Sequence, residues 1–143
     1  MNKADEQVYK DIKKNTEMGM KAIDAIRDKC ADEDFVFLLT KQNAEYHKLY
    51  NKAENKLIDA KVEPYRGNAV DNFLLKMGIH VNTLLNTSTS HIAELMIRER
   101  NTGVTKLWKS LNHNSMVAAE AAEMAKEFIH LEEDGIEALK KYL

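Results

Sequence analysis

The sequence predicts an all-α protein: one domain, residues 1–143, folded as an antiparallel up-and-down four-helix bundle with an extra helical segment between its second and third helices. Four stretches carry apolar residues at alternating spacings of three and four, which places them along one face of a helix. The chain contains one proline and five glycines in 143 residues, so few residues interrupt helices or form the turns that a β-sandwich needs.

The four long helices are predicted at residues 5–30, 33–61, 88–111 and 116–142. Each has a stripe of inward-facing positions. These are Tyr9, Ile12, Thr16, Gly19, Ile23, Ile26 and Cys30 in the first helix; Phe35, Leu39, Gln42, Tyr46, Leu49, Ala53, Leu57 and Ala60 in the second; Ile92, Leu95, Met96, Glu99, Gly103, Leu107 and Leu111 in the third; and Val117, Ala121, Met124, Phe128, Leu131, Gly135, Ala138 and Tyr142 in the fourth.

Helix-capping and helix-breaking residues predict the helix ends. Asp32 is predicted to cap the second helix and Ser115 the fourth, because their side-chain oxygens accept from free backbone N–H groups. Pro64 ends the second helix. Helical spacing returns at residues 69–85, which form the predicted extra helical segment and a candidate assembly surface. The polar run at residues 86–90 predicts a break between this segment and the third long helix. One bent helix over 69–111 is the alternative.

Charge and hydropathy exclude several partner classes. The net charge is −2, from 21 basic and 23 acidic residues that are interspersed, so no basic stripe favours a nucleic-acid partner. No apolar run approaches the roughly 20 residues that span a bilayer, so no membrane association is expected. The first residues are polar and the single Cys30 excludes an intrachain disulfide framework, which together predict a cytoplasmic protein.

Three glycines, Gly19, Gly103 and Gly135, lie inside predicted helices, where each costs about 1 kcal/mol relative to alanine. We predict that they allow close helix approach or leave room for a bulky neighbour. Each is followed by an apolar residue, two variable residues and a second apolar residue. An ancestral duplication of a helical hairpin, with the first helix corresponding to the third, is the alternative explanation.

Three polar residues lie on the predicted inward stripes: Thr16, Gln42 and Glu99. Buried polar groups need hydrogen-bond partners, so Thr16 and Gln42 are predicted to bond each other or nearby backbone. Glu99 is expected at the rim of the core, paired with an arginine or lysine. On this interpretation, replacing Gln42 with leucine costs little stability, since the amide and its desolvation cost vanish together.

The helix arrangement, together with the stretch Thr16-Glu17-Met18-Gly19-Met20, resembles small bacterial ferritin-like four-helix bundles of unassigned function. The resemblance covers most of the chain. It implies a di-metal site with one glutamate from each of two helices and Glu-x-x-His from each of the other two. The candidate ligands that it implies are Glu99, Glu127 and His130, with Glu17 and Glu45 as further ones.

This ligand set is incomplete. Glu127 and His130 match Glu-x-x-His, but Glu45 and His47 are only two residues apart and point to different sides of their helix. We therefore expect no catalytic residue and no cofactor. The favoured function is that of a non-enzymatic helical module in an interaction or stress-related role, and a homodimer is one assembly that such a module could form. The alternative is a di-iron-type oxidoreductase or iron-binding protein that holds iron or another divalent metal.

Overall fold

The computed structural model describes residues 1–64 and 88–143, which form four α-helices: α1 (Lys3–Arg27), α2 (Glu33–Asp59), α3 (Thr89–Asn112) and α4 (Ala119–Lys140). The all-α prediction is confirmed for these residues, which contain no β-strand. All eight helix ends lie within three residues of their predicted positions. The predicted segment at 69–85 lies outside the described residues. None of the helices in the described ranges is long and apolar enough to cross a membrane.

Three of the four described helices begin after a residue whose side chain caps them, namely Asn2, Asp32 and Ser88. Asp32 accepts from the backbone N–H of Phe35 at 3.0 Å, which confirms it as the cap of α2. The prediction for Ser115 was wrong, because α4 begins three residues later, after Ala118, which has no capping side chain. Instead, the carboxylate of Asp5 in α1 accepts from the backbone N–H of Ala118 at 2.8 Å. The start of α4 is thus capped by another helix.

Two apolar cores, one toward each end of the bundle, reveal the helix directions. The first core joins the early parts of α1 and α4 to the late parts of α2 and α3, and its members include Val8, Ile12, Leu49, Leu57, Leu107, Ala121 and Phe128. The second core joins the opposite halves, and its members include Ile23, Ile26, Phe35, Leu39, Ile92, Met96 and Leu139. Therefore α1 and α4 run in one direction, and α2 and α3 run in the other.

The predicted up-and-down order is corrected by these directions. Leu57, near the end of α2, packs in the first core, whereas Ile92, near the start of α3, packs in the second. The chain thus leaves α2 at one end of the bundle and enters α3 at the other end. Apolar periodicity identifies the buried face of a helix but contains no information about its direction, so the sequence pattern could not distinguish the two orders.

The buried faces of α1 and α2 follow the predicted stripes closely, although Ala60 is exposed. In α3 and α4 the buried face departs from the predicted stripe at several positions, and two of these departures involve charged residues. Arg100 is buried where Glu99 was predicted, and Glu132 is buried where Leu131 was predicted, while Glu99 and Leu131 are half-buried. Either residue satisfies helical spacing, and a charged residue beside an apolar one is normally assigned to the surface. The fold therefore places two opposite charges in its interior.

Candidate functional site

A buried polar cluster lies between the two apolar cores. It consists of Gln42 and Tyr46 from α2, Arg100 from α3 and Glu132 from α4, all between 2% and 7% exposed. Buried charges are normally paired, because an isolated one loses its hydration without compensation. The cluster is the main concentration of buried polar side chains in the described residues, so it is where any central chemistry must be sought.

The guanidinium of Arg100 connects the members of the polar cluster. Its Nη1 donates to Glu132 Oε1 at 3.1 Å, and its Nη2 donates to Gln42 Oε1. The hydroxyl of Tyr46 donates to the same Glu132 oxygen at 2.5 Å. The Arg100 Cζ atom also lies 5.0 Å from the centre of the Tyr46 ring, a cation–π distance. Three helices are thereby joined by charge-assisted hydrogen bonds.

Gln42 and Thr16, the two polar residues predicted to bond inside the core, both donate hydrogen bonds to backbone carbonyls. Gln42 Nε2 donates to the carbonyl of Gly135 on α4 at 3.3 Å, which confirms its predicted burial and its bond to a facing helix. Thr16 is fully buried, and its hydroxyl lies 2.8 Å and 2.9 Å from the carbonyls of Ile12 and Lys13. Of the predicted alternatives, Thr16 therefore bonds to nearby backbone of its own helix.

Two helical glycines make room for the large side chains of the cluster. A Cβ atom on Gly135 would lie 2.9 Å from Arg100 Cζ, and one on Gly19 would lie 2.7 Å from Tyr46 Cζ. At Gly103 the nearest atom would be Asn15 Oδ1, at 3.2 Å. The prediction that glycines leave room for a bulky neighbour is confirmed at Gly19 and Gly135. It explains why two helices tolerate the loss of helix propensity.

Burial dominates the protonation behaviour of the cluster. Desolvation raises the pKa of Glu132, while the Arg100 charge and the Tyr46 hydroxyl act in the opposite direction. Desolvation, with the adjacent Glu132 carboxylate, raises the pKa of Tyr46 well above its usual 10.0. Tyr46 is consequently a neutral hydrogen-bond donor at physiological pH. The cluster holds its charges through mutual pairing and not through solvent.

Replacing Gln42 with leucine is expected to lower the free energy of unfolding by about 1.5–3 kcal/mol. The structure revises the sequence-based expectation of a small cost, because Gln42 accepts from the charged Arg100 and leucine leaves that donor unpaired. Chemical denaturation measures the change. Ala44→Leu, at an exposed position of the same helix, is the control. A loss at Gln42 no larger than at Ala44 would show that the bond to Arg100 contributes nothing.

The structure places the candidate metal ligands at three different sites. Glu45, Glu127 and His130 are exposed and border one groove between α2 and α4. Glu99 borders a small cavity on another side of Arg100. Glu17 lies beside a groove formed by α1, the end of α2 and the residues after it.

Three of these carboxylates already pair with lysines. The oxygen–nitrogen distances are 2.7 Å for Glu127 and Lys52, 3.5 Å for Glu45 and Lys48, and 3.4 Å for Glu17 and Lys21. In the ranges 1–64 and 88–143, no three Asp, Glu, His or Cys side chains are grouped closely enough to hold a metal ion. The fold therefore brings Glu45, Glu127 and His130 to one groove, but it leaves Glu99 and Glu17 at two other places.

Sequence reasoning missed Arg100 and Glu132, although one signal indicates them. Each lies three residues before a helical glycine, as does the buried Thr16: Thr16 before Gly19, Arg100 before Gly103 and Glu132 before Gly135. Residues three apart share a helix face. In α1, α3 and α4, the glycine and the polar residue three positions before it therefore lie on the same helix face. The opposite signs of Arg100 and Glu132 would then have predicted their pairing.

No family model matches the chain, and neither a curated protein nor a solved structure is significantly similar to it.

Proposed function

We propose that the protein is a ferritin-like four-helix bundle that works without catalysis, as a helical module in an interaction or stress-related role. The observation that carries this proposal is the Arg100–Glu132 ion pair in the bundle interior. Metal-binding bundles of the ferritin-like type direct several carboxylates and histidines inward. Here the inward polar positions of α2, α3 and α4 carry an amide, a guanidinium and one carboxylate.

The helix directions support the ferritin-like part of the proposal. Such bundles contain one long crossover connection, whereas simple up-and-down bundles contain only short loops. The end of α2 and the start of α3 lie in opposite cores, so a connection between opposite ends of the bundle is required.

Electrostatics supports the non-enzymatic part of the proposal. A divalent cation placed about 4 Å from a unit positive charge is repelled by about 8 kcal/mol at an effective dielectric constant of about 20. The accepting oxygen of Glu132 is already shared between Arg100 and Tyr46. The guanidinium of Arg100 thus supplies a permanent positive charge in the bundle interior. In a metal-binding bundle of the ferritin-like type, the bound metal ions supply that charge.

Protein purified without chelators is expected to carry well under one equivalent of iron, manganese or zinc. Its thermal unfolding should also be the same with and without EDTA, since a metal that bound only the folded state would raise the melting temperature. Elemental analysis and calorimetry make the two measurements. The same two measurements on Glu127→Ala and His130→Ala test whether any bound metal depends on these candidate ligands.

A second candidate function is metal binding of the di-iron type, as an oxidoreductase or iron-binding protein. The observation that favours it is that Glu45, Glu127 and His130 border one groove. A stoichiometric metal signal that disappears in Glu127→Ala or His130→Ala would establish this alternative and overturn the non-enzymatic proposal.

Self-association to a homodimer and a cytoplasmic location belong to the same proposal. Phe37, on α2, is 75% exposed and is the most exposed of the large apolar side chains in the described residues. Light scattering measures the mass in solution, and a monomeric mass at micromolar concentration would remove the homodimer from the proposal.

A further inference from the structure

One nitrogen of the buried Arg100 lacks a hydrogen-bond partner among the described residues. Nη1 donates to Glu132 and Nη2 to Gln42, but the Nε atom is buried without an acceptor. Buried N–H groups are nearly always paired, and an unpaired one costs about 1–3 kcal/mol. An acceptor from outside the described residues would therefore be stabilised at this position.

The planar guanidinium shows which side that acceptor approaches from. Its donors form a rigid fork, in which the Nε–H points to the same side as Nη2, the nitrogen that donates to Gln42. Gln42 borders the groove between α2 and α4 but not the small cavity. Glu132, the partner of Nη1, borders the small cavity but not the groove. The unpaired Nε–H of Arg100 therefore points toward the groove between α2 and α4 and not toward the small cavity.

The groove between α2 and α4 has the size and lining of a small-molecule site. Its volume is about 440 Å³, within the range of ligand pockets. Half-buried Leu38, Leu131 and Ala138 supply apolar walls, and Arg100 and Gln42 supply polar groups at the inner end. Apolar walls with a few convergent polar groups are typical of sites that bind an amphipathic ligand.

The charges at the rim permit an anion. Of the three rim carboxylates, Glu45 and Glu127 are paired with lysines of α2, and Lys41 adds a positive charge to the lining, which also contains Asp134. Among the charged residues that line the groove, only Arg100 is buried, and its partner Glu132 lies outside the lining. The inner end of the groove is consequently the more positive end.

We propose that this groove binds a small aliphatic carboxylate. One carboxylate oxygen accepts the Nε–H of Arg100, and the aliphatic chain packs against Leu38, Leu131 and Ala138. A carboxylate is preferred to a neutral carbonyl because a hydrogen bond between two charged groups is roughly twice as strong as one between neutral groups. The site does not depend on the proposed non-enzymatic role, and its failure would leave that proposal unaffected.

Hexanoate is the probe, titrated into the full chain and followed by two-dimensional NMR and by calorimetry. We expect saturable binding with shifts concentrated at residues that border the groove. Ala138→Trp places a large side chain in the groove from a residue that is not a member of the polar cluster, and it should weaken binding about tenfold or more. The matched control is Ala44→Trp, an exposed position of α2 outside the groove, which should leave binding unchanged.

Two analogues of the same length test the charge. Hexanamide retains the acceptor without the charge and should bind about tenfold more weakly, a difference of about 1.4 kcal/mol. Hexylamine places a positive charge beside Arg100 and should not bind detectably. Absence of hexanoate binding, equal binding of hexylamine, or hexanoate binding that survives Ala138→Trp would each overturn the proposal.

Discussion

Replacing Glu132 with leucine is expected to lower the free energy of unfolding by about 3–5 kcal/mol. The substitution leaves the Arg100 guanidinium, 3% exposed in its side chain, without its carboxylate and removes the acceptor of the Tyr46 hydroxyl. Removing one partner of a buried ion pair is among the most destabilising single changes, because the remaining charge is neither hydrated nor paired. Urea denaturation of both proteins at neutral pH measures the difference.

A second substitution separates loss of pairing from loss of packing. Arg100→Met combined with Glu132→Leu removes both charges, and apolar replacement of a whole buried pair is often neutral or stabilising. We therefore expect the double variant to be more stable than Glu132→Leu alone. Glu137→Ala, which breaks an exposed ion pair with Lys140, serves as the surface control and should change stability by less than about 1 kcal/mol. A Glu132→Leu effect as small as the control's would contradict the assigned burial of the pair.

Replacing Gly135 with alanine is expected to destabilise the protein by about 1–3 kcal/mol, although alanine is the better helix former by about 1 kcal/mol. The added Cβ atom would lie 2.9 Å from Arg100 Cζ and closer still to Nη1, so the guanidinium would have to move. Its bonds to Glu132 and Gln42 hold it in place on two sides. The steric term therefore exceeds the gain in helix propensity.

Gly103→Ala is the matched control, because its Cβ atom would meet only the end of the Asn15 side chain, at 3.2 Å. Asn15 is half-buried and able to shift by a few tenths of an ångström, so the helix propensity of alanine should prevail. We expect Gly103→Ala to be neutral or stabilising by up to about 1 kcal/mol. Equal effects of the two substitutions in thermal denaturation would show that the contact between Gly135 and Arg100 does not constrain the bundle.

The positions of the helices and most of the core were predictable because they depend on local pattern. Alternating spacings of three and four identify a buried stripe such as Phe35, Leu39, Gln42 and Tyr46 without any knowledge of the rest of the fold. Capping at Asp32 is equally local, since donor and acceptor are three residues apart. In contrast, the cap of α4 comes from Asp5, more than a hundred residues away in sequence, and no local pattern contains it.

The polar cluster was predictable only in part, for a related reason. Gln42 lies on an otherwise unbroken stripe, so its burial followed from spacing alone. Arg100 and Glu132 each compete with a neighbour that satisfies the spacing equally well, and burial of either charge is favourable only when the other is present. That condition is a property of the pair across two helices. The apolar spacing within either helix does not contain it, and the glycine three residues after each charge indicates only a shared face.

The division of the polar cluster between the two helical hairpins affects how the halves of the protein join. The hairpin of α1 and α2 supplies Gln42 and Tyr46, and the hairpin of α3 and α4 supplies Arg100 and Glu132. If one hairpin slid along the other by a single helical turn, about 5.4 Å, the bonds of Tyr46 to Glu132 and of Gln42 to Arg100, which join the hairpins, would break together. Apolar surfaces tolerate such misalignment, whereas buried polar groups that lose their hydrogen-bond partners do not. The cluster therefore selects one alignment of the hairpins during folding.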